Sequence, residues 1–213
     1  MHRLEPWAAD EAERQAAEAR VKRLVGERIE HVRYVELRYS EARPFWNMAA
    51  AFDTLDFGCE LGLASGATWA AIWEQAGHNE GLLLYGGNLA ERLSAEANPA
   101  VWDVTTSSRW APVVGRSITD ITLYWGRSEW EQTWPEPRPH GVSDWCSWTA
   151  TLHFDSGEQV ILTLGDANND GTLAPAPDNV AIFFDEETAI RSGVFFEDDD
   201  DRWKRLDSAQ GPA

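Results

Sequence analysis

Two stretches of the chain repeat one another, and this repeat restricts the fold more than any other feature. Val25-Gly26-Glu27-Arg28-Ile29-Glu30-His31-Val32 recurs as Val114-Gly115-Arg116-Ser117-Ile118-Thr119-Asp120-Ile121, with the apolar positions and the glycine kept. Further along, Glu60-Leu61-Gly62-Leu63-Ala64-Ser65-Gly66, followed by Ile72, aligns with Thr151-Leu152-His153-Phe154-Asp155-Ser156-Gly157, followed by Thr163. A weaker echo sets residues 79–84 against residues 179–184 at a slightly larger offset. Two copies of one strand-turn-strand pattern pack readily into one body. The sequence therefore predicts an α+β, mainly β fold. It is expected to contain two related antiparallel four-stranded units from an internal duplication, packed into one domain with an N-terminal helix and short joining helices.

Local patterns place the boundaries. Residues 1–24 carry the N-terminal helix: positions 8–24 hold Ala, Glu, Arg and Leu with no internal Gly or Pro, and Gly26 stands where a helix would stop. The first β-unit spans 25–87. In it Leu55, Phe57, Cys59, Leu61 and Leu63 alternate with polar residues or glycine, Ser65-Gly66 turns the chain, and Trp69, Ala71 and Trp73 return. Residues 88–113 form a linking segment with one or two short helices. The second β-unit, 114–193, alternates at Cys146, Trp148, Ala150, Leu152 and Phe154, turns at Asp155-Ser156-Gly157-Glu158, and returns through Val160, Leu162 and Leu164. It closes with a short helix over 185–191, stopped by Gly193, with acids at its amino end. Residues 194–213 read as an acidic mobile tail, led by Glu197-Asp198-Asp199-Asp200-Asp201.

Charge narrows the range of partners. With 36 acidic against 18 basic residues the formal net charge is -18, which repels nucleic acid and anionic membrane and attracts a basic protein. Acidity also keeps a protein soluble, so the charge has a plain reading as well. Cys59 and Cys146 lie in apolar-alternating strands and are expected as buried small side chains in a reducing compartment, not as a bridge. The opening residues lack the apolar core of a signal peptide, and no stretch approaches the roughly 20 apolar residues of a membrane helix. A cytoplasmic location is expected.

The candidate sites fall in loops. Asp166, Asn168 and Asp170, before Gly171, match the first half of a calcium loop, where alternate oxygens wrap a cation. The twelfth position is Pro177 where a bidentate glutamate is needed, so a polar turn is the expected structure and no metal is assigned. Glu74, His78 and Glu80 form a second possible ligand loop, for a metal or for acid-base work, against the commoner role of a hydrogen-bonded histidine. Two aromatic loops join the first and second strands of each unit. One carries Arg43 and Trp46; the other carries Glu129, Trp130, Glu131, Trp134 and Arg138 among prolines. Trp and Arg concentrate at binding hot spots, and proline limits the freedom lost on docking. These residues are the candidate partner-binding set, with folding back over the sheets as the alternative for the tryptophans.

Nucleotide-binding, zinc-protease, serine-hydrolase and paired-cysteine motifs are absent, and no cofactor is expected. In general character the chain resembles the small acidic bacterial proteins that neutralise a toxin. The resemblance implies a cytoplasmic immunity protein, without catalysis, that occludes a basic toxin domain. Two other readings remain: a β-domain that binds a small molecule, sugar or metal, and a hydrolase whose carboxylates leave no motif.

Overall fold

The computed structural model describes residues 6–8, 10–38, 46, 51–76, 79–93, 97–127, 145–174 and 178–194. In chain order the elements are β1 (Trp7–Ala8), α1 (Glu11–Val21), β2 (Ile29–Leu37), β3 (Asp53–Leu55), β4 (Gly58–Leu63), β5 (Thr68–Ala76), β6 (Asn79–Gly86), α2 (Leu89–Arg92), β7 (Pro99–Asp103), β8 (Ile118–Arg127), β9 (Trp145–Phe154), β10 (Gln159–Leu164), β11 (Asp166–Ala167), β12 (Leu173–Ala174), β13 (Val180–Phe183) and α3 (Glu186–Ser192). The fold is mainly β, as the alternating pattern predicts. Helix α1 starts where the Asp10 side chain accepts from the Glu13 amide, and it ends in a 3-10 turn over Lys22–Leu24. Helix α3 is capped in the same way by Asp185 and ends at a left-handed Gly193.

The first sheet has the order β6-β5-β4-β2-β7. In the second, β9 pairs with β8 on one side and with β10 and the short β1 on the other, and β13 and β3 continue outward from β10. The sheets thus hold five and six strands where the sequence predicted units of four. The excess has identifiable sources. Strand β7 comes from the segment expected to hold only short helices, and it pairs with β2 through Val35↔Val101 and its neighbours. Strand β3 belongs by sequence to the first unit but pairs with β13 of the second sheet, through Val180↔Leu55 and Ile182↔Asp53.

The transfer of β3 also corrects the single strand expected from Thr54 to Leu63. The chain breaks between Leu55 and Gly58, so β3 and β4 lie in different sheets. Gly58 has φ of +144°, and a Cβ there would lie 1.9 Å from the Ala71 carbonyl oxygen. Only glycine permits that backbone shape and that approach.

The leading strands of the two sheets clasp each other where the sequence repeat begins. Gly26 N–H donates to the Ile118 carbonyl at 2.8 Å, and Gly115 N–H donates to the Ile29 carbonyl at 2.7 Å. Arg28 and Ser117 pair as an antiparallel bridge between them. Each leading strand then shows a register shift, between Ile29 and His31 in β2 and between Ile118 and Asp120 in β8. The two Ser-Gly turns connect β4 to β5 and β9 to β10, with Gly66 at φ +82° and Gly157 at φ +85°.

One core cluster joins the sheets. Val32, Tyr34, Cys59, Leu61, Leu63, Leu82 and Leu84 of the first meet Ile121, Trp148, Ala150, Leu152, Phe154, Leu162 and Ile182 of the second. The far faces are covered separately. Helix α2 places Leu89 on Val35, Ala70, Ile72, Leu83 and Tyr85. Phe52 and Ala189 of α3 cover Ile161, Ala181 and Phe183, the two phenylalanine rings stacking at 4.3 Å. Cys59 and Cys146 are buried and unbridged, and burial pushes the Cys59 thiol up to about 12.

Candidate functional site

The crossing of β3 builds a buried polar cluster between the two sheets. Alternation along β2 points Tyr34 inward between Val32 and Glu36, and a buried phenol needs a partner. Tyr34 donates to Asp53 Oδ2 at 2.8 Å and accepts from Trp110 Nε1 at 2.6 Å, while Arg109 pairs with the other carboxylate oxygen of Asp53. Burial raises the Tyr34 hydroxyl well above its ordinary range, and the Asp53 charge adds to this. Burial also raises Asp53, with the Tyr34 hydrogen bond and Arg109 pulling it back. A tyrosine whose proton is held in this way is a fixed strut and not a poised acid or nucleophile.

Of the predicted partner-binding residues, Trp46 lies among the described ones. It is half-buried, its ring edge-on to Tyr34 at 5.3 Å and to Trp102 at 5.8 Å, and its carbonyl accepts from Thr54 N–H at 3.4 Å. Trp46 therefore rests on the buried cluster. Arg43, Glu129, Trp130, Glu131, Trp134 and Arg138 lie outside the described residues, as does the tail from residue 195.

A second charged group occupies the far face of the first sheet. Glu60, fully buried on β4, faces its ladder partner Arg33 at 2.6 Å and accepts from the Ala90 amide at 3.0 Å, tying α2 to the sheet. Glu74, one of the predicted ligand residues, pairs with Arg92 of α2. The Arg92 guanidinium stands 4.8 Å over the Tyr85 ring, whose hydroxyl burial pushes up to about 12. Glu74 thus fastens the short helix. Glu80 is half-buried on β6 opposite Gln75 and is hydrogen-bonded or paired; His78 lies outside the described residues.

The predicted calcium-like loop forms the tip of the β11–β12 hairpin. Asp170 Oδ1 accepts from Thr172 N–H at 3.0 Å and from the Thr172 hydroxyl at 2.6 Å, and these two bonds hold its carboxyl below the usual range. Asp166 accepts from the Ala167 amide at 2.7 Å, and the Asn168 side chain donates to Thr172 at 3.0 Å. The oxygens point at their own turn, as Asn, Asp and Thr side chains do when they close local loops. Among the described residues no group of three His, Cys, Asp or Glu side chains is placed to hold a metal ion.

Phe52, just before β3, packs in one cluster with Ala167 and Leu173 of the hairpin that carries Asp166, Asn168 and Asp170. Glu74 belongs to the other face, with α2. Sequence reading missed Tyr34, Asp53, Arg109 and Trp110, because nothing in the local pattern marks a strand that changes sheet. Glu60 and Arg33 left one usable signal: opposite charges on two strands expected to be neighbours. Comparison of the chain with protein-family models, with curated proteins and with solved structures finds no match.

Proposed function

We propose that the protein is a cytoplasmic binding protein that occludes a basic partner, most specifically an immunity protein that neutralises a toxin domain without chemistry of its own. The observation behind this reading is how charge is distributed. Many of the basic side chains are spent internally: Arg14, Arg33, Arg92, Arg109 and Arg191 each face a carboxylate of the same chain. Asp155, Glu158, Asp178 and Glu186 are exposed and make no ion pair among the described residues. A net charge of -18 then presents itself to a partner largely as unpaired carboxylate, which speeds encounter with a cationic surface. Trp46, held edge-on to Tyr34 and Trp102, fits a docking residue that loses little freedom on binding.

The same proposal includes an internal duplication. Two leading strands that clasp reciprocally, matched register shifts and matched Ser-Gly turns support it. On this reading β1, β3 and β7 are additions to two ancestral four-stranded units.

The test is co-expression with the products of the genes on either side. The expected result is that a basic neighbour arrests growth alone, that this chain relieves the arrest, and that the purified pair associates more slowly as salt is raised. Neutralising Glu197 to Asp201 should mainly slow association. Trp134→Ala should speed dissociation, by on the order of 2 kcal/mol for a hot spot. If neither neighbour is toxic and neither binds, the immunity reading fails.

A further inference from the structure

The first sheet ends on a strand with one unpaired side. Strand β7 is the last in the order β6-β5-β4-β2-β7, and among the described residues no strand lies beyond it. Two bonds to β2 and the chain around it fix its phase: Arg38 N–H donates to the Asn98 carbonyl at 3.2 Å, and Val104 N–H donates to the Val32 carbonyl at 3.0 Å. Backbone groups that face the neighbour alternate along an antiparallel pair. Ala100 and Trp102 therefore turn toward β2, while Pro99, Val101 and Asp103 turn their backbone groups away from it. Among the described residues the outward groups of Val101 and Asp103 have no partner, and the Pro99 carbonyl accepts from the Arg38 side chain at 3.2 Å. Solvent reaches this edge: Val101 is 41% exposed, and Leu37, the ladder partner of Pro99, is 39% exposed.

An open edge is a template for another strand, and proline or charge usually blunts it. Pro99 stands at the first residue of β7, so it removes one outward donor and leaves those of Val101 and Asp103 in place. The strand is also complementary to itself. A two-fold axis through Val101 sets Val101 opposite Val101, Ala100 opposite Trp102 and Pro99 opposite Asp103 of the second copy. Val101 then exchanges both of its bonds across the axis, and each Asp103 N–H meets a Pro99 carbonyl. The large Trp102 ring comes beside the small Ala100, and the two valines meet on the face that bears Leu37. Charge agrees with this register, because Asp103 of one copy arrives at the end where Arg38 of the other reaches Pro99. A chain of net charge -18 repels its own copy over much of its surface, and at this edge Arg33 and Arg38 accompany Asp103 and offset that repulsion. We propose that β7 pairs with β7 of a second copy, antiparallel about Val101, and so joins two first sheets into one continuous sheet. The dimer does not depend on the toxin reading.

The test is sedimentation of the full-length chain over a range of concentration. One short strand from each copy makes a small interface, so a monomer-dimer equilibrium in the micromolar range is expected, and a wild type that stays monomeric at about 100 μM overturns the proposal. Val101→Lys, at an exposed site, sets two ammonium groups against each other on the axis and should give monomers with an unchanged circular dichroism spectrum. A dimer that persists in this variant lies on another surface and overturns the edge. Val101→Cys reads the register. Cys59 and Cys146 are buried, and thiols at opposed positions about 5.5 Å apart between Cα atoms are within disulfide reach. Mild oxidation should convert Val101→Cys into a covalent dimer, whereas Thr106→Cys, exposed beyond the end of β7, should remain largely uncrosslinked. Equal crosslinking of the two variants, or none in Val101→Cys, overturns the pairing about Val101.

Discussion

The far faces of the two sheets solve the same problem with opposite chemistry. On the second sheet Phe52 stacks on Phe183, and α3 adds Ala189, so the contact is apolar throughout. On the first sheet a four-residue helix is held by Glu60 with Arg33 and the Ala90 amide, and by Glu74 with Arg92. A helix as short as α2 has little stability of its own and must be fixed by tertiary contacts. Stacked rings resist separation but tolerate sliding, whereas a carboxylate that receives a guanidinium and an amide fixes both position and direction. The apolar face is therefore expected to carry more of the stability, and the charged face more of the geometry.

Truncation of the ring stack should break the apolar face first. Phe183→Ala is expected to cost about 3–5 kcal/mol in urea unfolding, the usual loss for a buried aromatic ring in a well-packed site. If the loss is below about 1 kcal/mol, the stack is not the main fastening of that face. Glu60→Ala should come next. Breaking a buried pair typically costs about 3–5 kcal/mol. The Arg33 side chain is 33% exposed and regains water when its partner is lost, so about 2 kcal/mol is expected. A double-mutant cycle with Arg33→Ala should recover most of that as coupling; full additivity would show that the pair does not act together.

Glu74→Gln should cost less than about 1 kcal/mol, because both partners retain contact with water and the pair is screened by salt. Amide exchange at α2 should nonetheless quicken while exchange at α3 is unchanged. Equal effects on both helices would erase the distinction between the faces. The smallest signal is a pH dependence at Asp53. Burial raises its carboxyl, so the folded protein keeps a proton that the unfolded chain has already released just above the ordinary aspartate range. The stabilising contribution is full below that range and is lost as pH rises through the folded value. The melting temperature of the wild type, measured relative to Asp53→Asn, should accordingly fall between pH 4 and 7; a rise would mean that Arg109 outweighs burial.

Much of the strand pattern was legible because it is local. Alternation located β4, β5, β9 and β10, Ser-Gly located both turns, and Gly193 located the end of α3. The same rule misjudged Glu60. Alternation assigns it to the solvent side with Gly62, yet every residue of β4 is buried because α2 covers the far face. No local pattern foretells that cover. Asp53 was illegible for a related reason, since its burial depends on β3 leaving the sheet in which its neighbours lie. Of the candidate site, Glu74 and the Asp166 to Asp170 turn were located by sequence, but their arginine, threonine and backbone partners emerged only from the fold.

The departure of β3 from its own sheet also bears on how the chain reaches its structure. The edge of β13 is closed by residues from the other half of the sequence, so the second sheet has its full width only after a long loop has been drawn shut. Such non-local pairing slows folding, and until it forms β13 presents an open edge to other chains. During synthesis β3 is made well before β13 and must wait for it, and Phe52 beside it lacks the Phe183 ring on which it will stack. The Tyr34 to Asp53 bond joins residues close in sequence, and it can hold β3 in place before the strand it will pair with exists.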